Sequence, residues 1–126
     1  MNYLHEDLTE EIIQVFYKVY NTLGYGFLEK VYEKAMLIEL KAAGLNATGQ
    51  YPVNVFYEEE IVGEYFADIM VENKVILELK AREKLCPEHE VQLVNYLKAT
   101  ELEVGLLMNF GKEPKIKRKI FTNDRK

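Results

Sequence analysis

The chain has 126 residues, 48% hydrophobic and 29% charged, the balance of a folded globular protein rather than a disordered one. It has no serine, one cysteine (Cys86) and two histidines (His5 and His89). These counts exclude a serine nucleophile, a disulfide framework, a cysteine-rich zinc cage and a three-histidine metal centre. The net charge of −5 is unevenly spread, because residues 112–126 carry seven Lys or Arg against two acids and follow an acidic body.

Helical periodicity opens the chain. Ile12, Ile13, Val15, Phe16, Val19, Tyr20 and Leu23 fall on one broad face, with Thr9 as the expected N-cap and Leu8 stapled to Ile13. Gly24-Tyr25-Gly26 breaks this helix. A second follows, with Leu28, Val31, Tyr32, Ala35 and Ile38 as its expected buried stripe and Gly44-Leu45 as its C-terminal cap. Val53, Val55 and Tyr57 then alternate with polar residues as in a strand, and Glu58-Glu59-Glu60 marks a solvated turn. Two more strand-like runs, Ile61 to Val71 and Val75 to Leu79, are joined through Glu72-Asn73-Lys74. Pro87 suits the first position of a helix carrying Val91, Leu93, Val94 and Leu97. Val104 to Phe110 reads as a strand covered on both faces, and Ile116 to Phe121 as a last, lysine-rich strand.

The order helix, helix, three strands, helix, strand, strand predicts an α/β (α+β) sandwich around a mixed central sheet. With no linker, repeat or low-complexity stretch, residues 1–126 read as one domain. The apolar runs fall well short of the roughly 20 residues that span a bilayer. The first residues lack a basic segment followed by an apolar run, so a cytoplasmic protein without a membrane partner is expected.

Chemistry in this composition falls to carboxylates, lysines, tyrosines and a borrowed metal. Asp68 lies inside the apolar run Phe66-Ala67-Asp68-Ile69-Met70, where aspartate has poor strand propensity. Glu78 and Lys80, two apart in Val75-Ile76-Leu77-Glu78-Leu79-Lys80, project to one face of a strand. An acid and an ammonium so placed suit a hard divalent cation next to a group that positions water; a salt bridge on a solvated sheet face is the plainer alternative. Register decides whether Asp68 joins them. A two-residue turn would point Asp68 away from Glu78, whereas an odd-length connection or a bulge sets them side by side.

Asp68 followed by Glu78-Leu79-Lys80 resembles the D…ExK core of the PD-(D/E)XK nuclease superfamily. Gly26-Phe27-Leu28-Glu29-Lys30-Val31-Tyr32 resembles the GxxExxY signature of a bacterial family in that superfamily, and Gln92-Leu93-Val94-Asn95-Tyr96 the QxxxY motif of its exonuclease-type members. The resemblance implies a restriction-endonuclease-like core and a metal-dependent nuclease using Mg²⁺ or Mn²⁺. Asp68, Glu78 and the helix-borne Glu29 would be metal ligands, aided by the Leu79 carbonyl, and Lys80 would hold the attacking water. Gln92 and Tyr96, one helical turn apart, would contact Lys80 or the scissile phosphate.

Plainer readings stand beside these. Tyr32 suits a core tyrosine with a satisfied hydroxyl, Gly26 a backbone turn, Cys86 a small, partly buried filler, and His89 a solvated first-turn residue. Lys115, Lys117 and Lys119 alternate along the last strand, as edge-strand lysines do and as phosphate contacts would. The expected function is phosphodiester hydrolysis of nucleic acid, DNA foremost. A non-catalytic binding or regulatory module that keeps the fold is the alternative. Cutting both strands of a duplex with so short a chain calls for a two-fold dimer.

Overall fold

The computed structural model describes residues 4–126. Two helices, α1 (Glu6–Leu23) and α2 (Glu29–Ala42), precede strands β1 (Ala47–Tyr57), β2 (Glu60–Val71) and β3 (Val75–Lys80). Helix α3 (Pro87–Lys98), strands β4 (Val104–Asn109) and β5 (Lys115–Ile120), and a 3₁₀ turn (Asn123–Arg125) complete the order read from the sequence.

The five strands form one sheet in chain order. β3 and β4 are parallel and every other neighbouring pair is antiparallel, so the sheet is mixed and α3 makes the crossover. Successive side chains along a strand sort to opposite faces. Leu77 and Leu79 of β3 with Leu106 and Met108 of β4 pack under Ile12, Phe16 and Val19 of α1 and Tyr32, Met36 and Leu40 of α2. Ile76 and Leu107 point the other way, to Leu93, Tyr96 and Leu97 of α3. β4 is buried along its whole length, as its unbroken apolar run predicts.

Two details of the helices differ from expectation. α1 starts a turn early, at Glu6, whose charge with that of Asp7 suits a helix N-terminus. Thr9 is therefore inside the helix, its hydroxyl donating to the Glu6 carbonyl at 3.0 Å, and His5 occupies the N-cap. The stripe of α2 is Tyr32, Met36 and Leu40, whereas Leu28 and Ile38 are 80% and 68% exposed. Gly44 ends α2 in a left-handed turn (φ +81°), with its N–H donating to the Lys41 carbonyl and that of Leu45 to the Leu40 carbonyl, at 2.9 and 3.0 Å.

The connection between α1 and α2 is held by a tyrosine. The Tyr32 hydroxyl donates to the Gly24 carbonyl at 2.7 Å and accepts from the Phe27 N–H at 3.2 Å, while its ring stacks on Phe110 at 4.2 Å. This bridge explains Gly26 and Tyr32 as parts of one turn, with Gly26 at φ +110°. Tyr32→Phe removes both bonds from a fully buried site and is expected to cost about 1–2 kcal/mol in urea unfolding.

β2 and β3 are joined by the three residues Glu72, Asn73 and Lys74, with Val71 paired to Val75 and Ile69 to Leu77. The connection is odd-length, as the metal-site reading requires. One register step further brings Asp68 opposite Glu78.

Candidate active site

Beyond the Ile69–Leu77 pair, the ladder between β2 and β3 gives way to side chains. The Asp68 N–H donates to Glu78 Oε1 at 3.0 Å, and the Leu79 N–H donates to Asp68 Oδ2 at 2.7 Å. The opposite edge of β2 is also irregular here, because the β1 pairing passes from Gly49 to Tyr51 and leaves Gln50 at φ +53°. Ala67 and Ile69, two residues apart, accordingly pack into different cores. The strand turns over at Asp68, and that is how an aspartate fits inside an apolar run.

The two carboxyls lie together, Glu78 buried and Asp68 half-buried. Glu78 is 3% exposed, and its pKa is pushed up to about 8, first by burial and then by the Asp68 charge. Asp68 is also raised, by burial first and with Glu33 and Glu29 adding repulsion, while the Leu79 N–H and Lys80 oppose the rise. Lys80 favours the charged form of both acids. Its backbone is fixed from β4. The Phe110 N–H donates to the Lys80 carbonyl at 2.8 Å, and the buried Asn109 amide accepts from the Arg82 N–H at 3.0 Å and donates to the Arg82 carbonyl at 2.8 Å.

The remaining expected residues fall into three groups. Burial first, and then the charges of Glu78 and Asp68, raise the Tyr96 hydroxyl of α3 to about 12, and Tyr96 lines a groove with Gln92. Glu29, exposed at the start of α2, adds repulsion to both acids. Among the described residues no three acidic, histidine or cysteine side chains converge as a metal cage, so Glu29 stands outside the pair. On β5, Lys117 and Lys119 both bind Glu90 of α3, at 3.0 and 2.5 Å, and Lys115 is exposed. Cys86 is exposed at the N-cap of α3 rather than a buried filler, and its N–H donates to Nδ1 of His89 at 3.2 Å.

Glu33 escapes the sequence reading. One turn after Glu29, it is 9% exposed, accepts from Gln50 Nε2 at 2.8 Å and lies 3.6 Å from Lys30 Nζ. Its repulsion on Asp68 ranks above that of Glu29. The only signal for it is the four-residue spacing from Glu29, which sets both on one helix face.

A family model described as the PD-(D/E)XK nuclease superfamily matches residues 6–120. The chain belongs to the PD-(D/E)XK nuclease superfamily. Its mixed five-stranded sheet between helices is the restriction-endonuclease-like architecture of that superfamily. Among solved structures, the chain is similar to one titled "Crystal structure of SSO0001", with a TM-score of 0.59 and 17% identity over 74% of this chain and 50% of that one. At this identity the likeness shows the fold alone, and the chain matches about half the length of that protein. No curated protein matches the chain.

The donor set of this PD-(D/E)XK chain fits a hard divalent cation. Asp68 and Glu78 both offer carboxylate oxygens, and each has one carboxyl oxygen tied to a backbone N–H. Hard cations of the Mg²⁺ type are commonly held by one or two carboxylates plus water and substrate phosphate. Burial and mutual repulsion, which raise the pair, are what a cation between them would relieve. No helix of the described residues is long and apolar enough to cross a membrane.

Proposed function

We propose that this chain is a metal-dependent nuclease that hydrolyses phosphodiester bonds of nucleic acid, DNA foremost, and that it belongs to the GxxExxY branch of its superfamily. One observation carries the reading: a buried Glu78 and a half-buried Asp68, each accepting a backbone N–H from the other's strand, with Lys80 two residues after Glu78 on β3. Asp68 and Glu78, with the Leu79 carbonyl, would hold Mg²⁺ or Mn²⁺, which supplies a Lewis acid for the phosphate and a more acidic bound water. Lys80 orients the attacking water and offsets negative charge on the scissile phosphate. Gln92 and Tyr96 steady the phosphate from α3. Glu29 enters from the helix end once substrate is bound, and Lys115, Lys117 and Lys119 contact the flanking backbone.

The cytoplasm suits the exposed thiol of Cys86, and a two-fold dimer suits a double-strand cut. The purified protein is expected to cleave nucleic acid with Mg²⁺ or Mn²⁺ and to stop on chelation. Intact DNA and RNA at every cation tested would refute the assignment. The position of Glu29 outside the pair favours a second reading, a binding module that keeps the fold and takes up no cation.

A further inference from the structure

Between Ala47 and Val55 the β1–β2 register is unbroken except at one place. Gly49 faces Ile69 and Tyr51 faces Ala67, and the pair between them, Gln50 and Asp68, does not form. Gln50 sits there at φ +53°, and its amide reaches α2, where Nε2 donates to Glu33 Oε1 at 2.8 Å. We propose that Glu33 and Gln50 are positioning residues of the active site, whose hydrogen bond pins this break in the ladder and so aims the Asp68 carboxyl at β3. The inference rests on the nuclease reading of the Asp68–Glu78 pair and adds to it two residues that act through Asp68.

Neither residue is explained by the packing around it. Glu33 shares a helix face with the buried Met36 and Leu40 and is itself 9% exposed, a place that an apolar side chain fills without burying a charge. Its second oxygen, Oε2, has Lys30 Nζ at 3.6 Å, and that lysine is largely exposed, so Gln50 is the close partner of the carboxylate. Gln50 has a left-handed backbone, which is unfavourable for a residue with a Cβ and persists where the surroundings impose it. The bond to Glu33 supplies that constraint. Gly49 makes the approach possible. A Cβ there would stand 3.1 Å from Leu37 Cδ1, 3.8 Å from the Asp68 carbonyl oxygen and 3.9 Å from Glu33 Oε2, so α2, β1 and β2 meet at this point.

The consequence falls on Asp68. Its neighbours Ala67 and Ile69 are anchored in different cores, so the turn of the backbone between them sets where the carboxyl points. It points to β3, where Oδ2 accepts from the Leu79 N–H at 2.7 Å, while the Asp68 N–H donates to Glu78 Oε1 at 3.0 Å. A cation site needs its ligands held to about 0.5 Å, and a strand free to rock at Asp68 does not provide that.

Amide hydrogen exchange by NMR and Mn²⁺ calorimetry on the whole chain test this, with Gln50→Gly, Glu33→Ala and Glu33→Gln. Glycine accepts the left-handed backbone but has no amide to hold, so Gln50→Gly keeps the unfolding midpoint and loses the clamp. In Gln50→Gly and Glu33→Ala the Leu79 N–H is expected to exchange about tenfold faster relative to the amides of β4, and Mn²⁺ to bind about tenfold more weakly. Glutamine at position 33 still accepts from Gln50, so Glu33→Gln is expected to stay within about threefold of wild type in both readings. Unchanged Leu79 exchange in Gln50→Gly overturns the inference, as does unchanged Mn²⁺ affinity in that variant when the wild type binds the cation. Equal acceleration throughout β4, the mark of a general loss of stability, overturns it too, and so does a Glu33→Gln variant as impaired as Glu33→Ala. A wild type that takes up no Mn²⁺ overturns the nuclease reading alone, and the Leu79 exchange then still decides the clamp.

Discussion

Lys80→Met is expected to lower cation-dependent cleavage by about 10²- to 10³-fold while leaving the unfolding midpoint close to wild type. Methionine keeps the length and apolar stem of the side chain and removes only the ammonium. The backbone at this position is held independently of the side chain, by the Phe110 N–H on the Lys80 carbonyl and by the Asn109 clamp on Arg82. Fold and cation binding should therefore survive, and the loss should appear in kcat more than in KM, as for a group that acts on charge developing in the reaction. Lys80→Arg restores the charge but not the point-like ammonium and should recover the rate only in part. A wild-type rate in Lys80→Met would remove the lysine from the chemistry.

Glu78→Gln is expected to make the protein more stable at alkaline pH and to flatten its stability profile. In the unfolded chain Glu78 ionises near its ordinary value of 4.5, whereas in the fold it keeps its proton up to about 8. Between these values the folded state binds more protons, so wild-type stability is full below about 4.5 and is lost as pH rises through about 8. Asp68, also raised, adds to the loss in the same direction. The difference between wild type and Glu78→Gln should grow across this window by a few kcal/mol, on the order set by 1.4 kcal/mol per pKa unit. Glutamine Oε1 can still accept from the Asp68 N–H, so the variant loses the charge and keeps the shape. Denaturant unfolding at a series of pH values checks the sign, and a wild type that gains stability from pH 5 to 8 would contradict it. Mn²⁺ should restore wild-type stability at high pH and leave Glu78→Gln unmoved.

The elements were legible where local pattern decides them. Gly24-Tyr25-Gly26, Gly44-Leu45 and Pro87 punctuate the helices where the structure ends or begins them. An odd-length connection is what lets Asp68 and Glu78 share a face, because strand side chains alternate strictly. The stripe of α2 was not legible. That helix carries apolar residues both at Leu28, Val31 and Ile38 and at Tyr32, Met36 and Leu40, and only docking on the sheet chooses between the two sets. Glu33 looked like any helical acid until Gln50 and Asp68 arrived from strands far along the chain. The partnership of Lys117 and Lys119 with Glu90 spans two elements, so no local pattern announces it.

The central claim is that Asp68 and Glu78 form a cation site next to Lys80. Calorimetric titration of Mn²⁺ into wild type and Asp68→Asn at pH 8.5, above the value of about 8 to which Glu78 is raised, tests it most directly. One cation bound per wild-type chain in the micromolar range, and none by Asp68→Asn, is the expected result. A wild type that takes up no cation, or an Asp68→Asn variant that binds it equally well, would contradict the claim.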